Sequence, residues 1–110
     1  MKKTTRAKLE RAGWAVADAA HFLNLTPEEQ QFVELKLALA MGVRQLREQQ
    51  GLTQTALAKR LGSSQSRIAK MEAADASVSL DLLMRSLFSI GATTGQIANL
   101  IKNAEARRAA

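Results

Sequence analysis

The stretch from Gln54 to Glu72, QTALAKRLGSSQSRIAKME, constrains this chain more than any other. It spells two short helices joined by a tight turn. Thr53 supplies an N-cap hydroxyl for the first helix. Leu57 and Leu61 fall four residues apart on one face, and Ala58 beside them allows a second helix to come close. Gly62 stops the helix, because it takes a left-handed conformation without steric penalty. Ser63 is expected to cap the second helix, whose apolar side chains, Ala69 aside, are only Ile68 and Met71. Its other face is Gln65, Ser66, Arg67 and Lys70. So short a helix with so little to bury is a poor core element. Its amides, hydroxyls and cations suit the DNA major groove, where base edges offer donors and acceptors.

The composition agrees with a helical domain. The 110 residues contain one Pro, six Gly and much Ala and Leu, with no alternating β-branched runs that would favour a sheet. There is no Cys, so neither disulfides nor a thiolate metal site is expected. No apolar run approaches membrane-spanning length, and Lys2-Lys3 is not followed by the apolar stretch of a signal peptide. A cytoplasmic protein is the default expectation.

Net charge is +6 and unevenly spread. Residues 1–11 hold five Lys or Arg against one acid, and residues 12–35 hold four acids and no base. Residues 36–74 hold seven bases against two acids. The cations therefore gather in the N-terminal arm and around the paired helices, the footprint of a phosphate binder. A basic chain can also simply be soluble.

The Gln54–Glu72 stretch resembles the helix-turn-helix of the Xre/Cro/lambda-repressor family. The likeness runs from Val43-Arg44-Gln45-Leu46-Arg47-Glu48 to about Gly91. It takes in Gly51-Leu52-Thr53-Gln54, Ala58, Gly62 and the Ile68…Met71-Glu72 ending. It implies an all-α, lambda-repressor-like five-helix DNA-binding domain over residues 26–110. Residues 1–25 would then be an N-terminal extension, a basic arm with an accessory segment. The family usually has Gly and Pro in the loop where this chain has Ala74, Asp75 and Val78.

Before the paired helices, Thr26-Pro27-Glu28-Glu29 is a strong helix start, with a capping box, a proline at the first position and two acids at the positive end of the dipole. The helix should run to about Gln50, with Phe32, Leu35, Leu39, Val43 and Leu46 as core stripe and Val33, Leu37 and Met41 as a second stripe. Gly42 permits close backbone approach. A short helix from Ala19 to Leu25 is expected ahead of it. After the reading unit, Ser79 should cap a helix with Leu80, Leu83, Leu87 and Ile90 inside. Gly91 ends it, and Thr93 or Thr94 starts a last helix with Ile97, Leu100 and Ile101, fraying near Arg107 and Arg108.

Carried over by position from the family, Gln54 holds phosphate while Ser64, Gln65, Ser66 and Lys70 face base edges. Gln65 is the leading specificity candidate, since a carboxamide can bond adenine at two points. Arg67 meets phosphate, with Arg44, Lys59 and Arg60 as further phosphate candidates or as a solvated face. The resemblance also implies a structural ion pair between Arg47 and Glu72. Trp14, Phe22 and Phe88 are candidate interface residues, or pack on the main body. His21, alone and without Cys or a carboxylate partner, reads as a surface residue. No catalytic motif, metal-ligand cluster or cofactor loop stands out, so no enzyme, metal or cofactor is expected.

Two functions remain open. One is a dimeric repressor binding double-stranded DNA at a palindromic operator. The other is an antitoxin similar to the HigA type, which binds a toxin protein and represses its own operon.

Overall fold

The computed structural model describes residues 24–109, and Trp14, His21 and Phe22 lie outside them. Five helices follow in order: α1 (Pro27–Gln49), α2 (Gln54–Arg60), α3 (Gln65–Glu72), α4 (Leu80–Ile90) and α5 (Thr94–Ala109), with no strand among the described residues. The all-α, five-helix expectation is met.

Each helix start is written in its side chains. At α1 the Glu29 N–H donates to the Thr26 hydroxyl at 3.1 Å, and the Thr26 N–H donates to Glu29 Oε1 at 3.0 Å. This reciprocal box satisfies two backbone donors that the helix itself cannot. Those bonds from Thr26 hold the Glu29 carboxyl below the usual carboxylate range. Thr53 caps α2 and Ser79 caps α4 through the same kind of bond, to Ala56 N and Leu82 N. At α5, Thr93 and Gln96 form a second box, at 3.1 and 2.9 Å.

The core gathers Leu39 and Val43 of α1, Leu57 of α2, Ile68 and Met71 of α3, Leu83, Leu87 and Ile90 of α4, Ile97 of α5, and Val78 of the α3–α4 loop. The long α1 packs against α4, α5 and α3, while α2 and α3 pack on each other. Gln50 Nε2 donates to the Ile90 carbonyl at 2.9 Å, which places the end of α4 beside the end of α1. The chain turns there, and α5 runs back along α1. Leu100 lies over Gly42 so closely that a Cβ there would fall 2.4 Å from a Leu100 methyl. Gly42 is therefore where the two helices approach.

The structure departs from the sequence expectations at four places in the frame. Phe32 is 53% exposed rather than part of the core stripe. The reason lies along α1: none of residues 24–37 is buried, and burial begins at Ala38. The first turns of α1 thus project beyond the described body. Ile101, expected inside, is 41% exposed because Ile97 and Leu100 already fill the inner face of α5. That helix, expected to fray near Arg107, is continuous to Ala109. Finally, the short helix expected over Ala19–Leu25 lies mostly outside the described residues. Its last two positions are not helical, since Asn24 sits at φ 57° and Leu25 is extended coil.

Candidate nucleic-acid interface

The turn between α2 and α3 is set by hydrogen bonds that leave little freedom. Gly62 stands at φ +64°, just past the Leu61 C-cap. The Ser63 N–H reaches back to the Ala58 carbonyl at 2.7 Å and the Gly62 N–H to the Lys59 carbonyl at 3.3 Å. This pair of bonds closes the last turn of α2 and needs the left-handed residue. Because its N–H is spent on α2, Ser63 ends the first helix rather than starting the second. Ser64 is the N-cap of α3, its hydroxyl accepting from the Arg67 N–H at 3.1 Å. The expectation that Ser63 caps this helix is therefore corrected by one residue. The Ser63 hydroxyl itself is buried without a partner.

Helix α3 divides cleanly. Ile68, Met71 and Glu72 are buried, one to four residues apart on the inward face. Ser64, Gln65, Ser66, Arg67 and Lys70 are exposed, and Ala69 is half-buried. The five polar residues thus share the outward side of a short rod anchored by two large apolar side chains and one carboxylate.

That carboxylate is the hinge of the site. Glu72 is 1% exposed, and it meets the 4% exposed Arg47 in a two-point pair, Nε to Oε2 at 2.6 Å and Nη2 to Oε1 at 3.0 Å. Arg47 Nη1 also donates to the Leu52 carbonyl at 2.8 Å. Helix α1, the α1–α2 connection and α3 are thereby tied at one point.

The pair extends outward. Gln54 Nε2 donates to Glu72 Oε1 at 3.2 Å, and Gln65 Nε2 donates to Gln54 Oε1 at 2.7 Å. A carboxylate only accepts, so Gln54 must turn its NH2 toward Glu72 and its carbonyl toward Gln65. Gln65 must then donate inward. Its own carbonyl and its second amide proton are left facing out, one acceptor and one donor side by side. Sequence reasoning named Arg47, Glu72, Gln54 and Gln65 separately and missed that they form one chain of bonds. The signal available was that Gln54 and Gln65 each open a helix.

The expected phosphate residues sort differently. Arg44, an expected phosphate candidate, is 6% exposed and its Nε bonds Glu48 at 2.8 Å. It is a structural residue, because it lies three residues before the buried Arg47, on the same inward side of α1. Arg60 is exposed, with Nη1 donating to Gln50 Oε1 at 2.6 Å. Lys59, Arg67 and Lys70 are exposed. Phe88 is 46% exposed on the outer side of α4. Among the described residues, no group of three or more His, Cys, Asp or Glu is placed to hold a metal, and no helix is long and apolar enough to cross a membrane.

Comparison with known proteins adds one finding. A helix-turn-helix family model matches residues 43–85, from the middle of α1 into α4. No curated protein and no solved structure matches the chain.

Proposed function

We propose that this chain is a DNA-binding transcriptional regulator of the Xre/lambda-repressor helix-turn-helix type, whose family model matches residues 43–85, and that it is a repressor acting as a dimer on a near-palindromic operator. The observation that carries this reading is the outward face of α3, where Gln65 is held by Gln54 with one donor and one acceptor free. Adenine offers N7 as acceptor and N6–H as donor along its major-groove edge, which is the complement of that pair.

The other roles follow from position. Ser66 and Lys70 share the face with Gln65 and reach neighbouring bases, Lys70 suiting guanine. The Ser64 hydroxyl, though it caps the helix, keeps its own proton to donate. Arg67 meets the backbone, and Gln54 retains a second amide proton for a phosphate oxygen while it aligns Gln65. Lys59 and Arg60 add sequence-independent attraction. Two copies related by a two-fold axis set their α3 helices about 34 Å apart, one turn of the duplex. An operator overlapping a promoter is then closed to polymerase.

The test is Gln65→Ala against fragments selected from random DNA. Specific binding should weaken by about 1–3 kcal/mol and one base position per half-site should relax. Unchanged affinity and sequence preference would remove Gln65, and with it α3, from the reading role.

A second reading, an antitoxin that neutralises a toxin and represses its own operon, is favoured by one observation. Phe32 is exposed on the first turns of α1, one helical turn after the acidic Glu28 and Glu29. An exposed aromatic ring in acidic surroundings fits a basic protein partner. Co-expression with the product of the adjacent gene tests it: a complex that Phe32→Ser disrupts supports the reading, and the absence of any complex overturns it.

A further inference from the structure

The charged residues of the family-matched segment pair off, with one remainder. Residues 43–85 contain four acids: Glu48, Glu72, Asp75 and Asp81. Glu48 pairs with Arg44, Glu72 with Arg47, and Asp81 with Arg85. Asp75 has no cation within ion-pair distance among the described residues. On the other side of the ledger, Lys59, Arg60, Arg67 and Lys70 have no acidic partner there. The DNA-binding unit therefore presents four cations outside any ion pair and, with Lys70 and Lys36 near it, one such anion.

That anion is fixed in place. Asp75 immediately follows α3, and its N–H donates to the carbonyl of Lys70 at 3.0 Å. Its carbonyl accepts from Lys36 Nζ at 2.9 Å. Its carboxylate accepts from the Ser77 N–H at 2.9 Å and from the Ser77 hydroxyl. The backbone groups and Oδ2 of the residue are tied down, and the charge sits five residues beyond Lys70, at the end of a helix only eight residues long. The Ser77 bonds, with Lys70 and Lys36 nearby, hold the carboxyl below its usual range, so it stays ionised.

We propose that Asp75 limits the strength of DNA binding, its fixed carboxylate offsetting the cations of the reading face equally for every sequence. This rests on the DNA-binding role of α3. Electrostatic attraction to phosphate supplies nearly all non-specific affinity, while base contacts supply discrimination. A negative charge within about one Debye length, 8–10 Å, of the duplex weakens the first without touching the second. A regulator built this way leaves random DNA sooner and lets Gln65, Ser66 and Lys70 decide where it stays.

The experiment compares the full chain with Asp75→Asn, which keeps an acceptor for Ser77 and removes the charge. Binding is measured on two short duplexes, one carrying the selected operator and one of unrelated sequence, at ionic strengths between about 0.05 and 0.2 M. The variant should bind both duplexes about two- to fivefold more tightly at the lower ionic strength, with the gain shrinking as salt rises. Asp75→Glu should restore the original affinity. Equal binding by the original chain and Asp75→Asn on both duplexes overturns the proposal. So does a change confined to the operator, which would make Asp75 a base contact. Lys70→Gln separates this outcome from failure of the DNA-binding face: if it leaves both affinities unchanged, the assignment of α3 is wrong, whereas weakening by Lys70→Gln with no effect of Asp75→Asn removes only the role of Asp75.

Discussion

Replacing Arg47 by Met, Glu72 by Leu, and then both, tests how the interface is held. Both side chains are almost wholly buried and joined at two points, and Arg47 adds a bond to the Leu52 carbonyl. Arg47→Met leaves a carboxylate without its counter-charge in the interior, and Glu72→Leu strands a guanidinium. Each should lower stability by about 3–5 kcal/mol. A domain of this size has only about 5–15 kcal/mol in total, so each variant should be far advanced toward unfolding. The double variant removes both charges together and refills the volume with apolar atoms. It should recover to within about 2 kcal/mol of the original chain, because a buried pair adds little over a well-packed apolar replacement. Urea unfolding followed by far-UV circular dichroism gives the three differences and the coupling between the sites. Single variants that lose less than about 1 kcal/mol would refute the reasoning, since a pair so weakly coupled must be hydrated rather than buried.

Further outcomes concern the backbone and the surface. Ala74 sits at φ 53°, where the Asp75 N–H bonds the Lys70 carbonyl in the same closing pattern that Gly62 serves after α2. An L-residue there is strained, so Ala74→Gly should raise stability by up to about 1 kcal/mol, measured by thermal unfolding. Gly62→Ala, at φ +64° with open space where the methyl would go, should lower it by about 1 kcal/mol. Arg44→Ala should cost stability while leaving the salt dependence of DNA binding unchanged. Lys59→Ala should do the reverse, lowering the slope of log affinity against log salt by at most about one.

Much of the frame was legible because local chemistry decides it. Thr26 with Glu29, Thr53, Ser79 and Thr93 cap where their hydroxyls say they should, and Gly62 and Gly91 stop helices that cannot otherwise turn. The helical class followed from that punctuation and from the spacing of Leu39, Val43, Leu57 and Ile68, while the five-helix arrangement was implied by the family resemblance. What was illegible depended on placement in three dimensions. Phe32 shares a stripe with Leu39 and Val43, but periodicity states which residues share a face and not how far along the helix that face is covered. Arg44 and Lys59 look alike in sequence; only one lies where α1 turns inward. Ser63 reads as the cap of α3 until its N–H is seen committed to the Ala58 carbonyl, which leaves Ser64 as the cap. The chain of bonds from Arg47 to Gln65 spans residues far apart in order, and no local rule pairs them.

That chain gives Glu72 two tasks that the double variant pulls apart. Its carboxylate neutralises Arg47 inside the protein and, with the same oxygen that meets Arg47 Nη2, fixes the direction of the Gln54 carboxamide. With Leu at 72 the domain can fold, but Gln54 is free to turn its NH2 toward Gln65. Gln65 then either accepts from it or swings away, and its outward donor and acceptor no longer hold one arrangement. Ordering such a side chain on binding costs about 0.5–1.5 kcal/mol, so the folded double variant should bind its selected operator about two- to tenfold more weakly. Binding to unrelated duplex should change far less, because no cation of the reading face has been altered and only the neutral Gln54 contact to phosphate is disturbed. Loss on both duplexes alike would point to a displaced α3, and no loss on either would mean that Gln65 is ordered by the DNA rather than by Gln54.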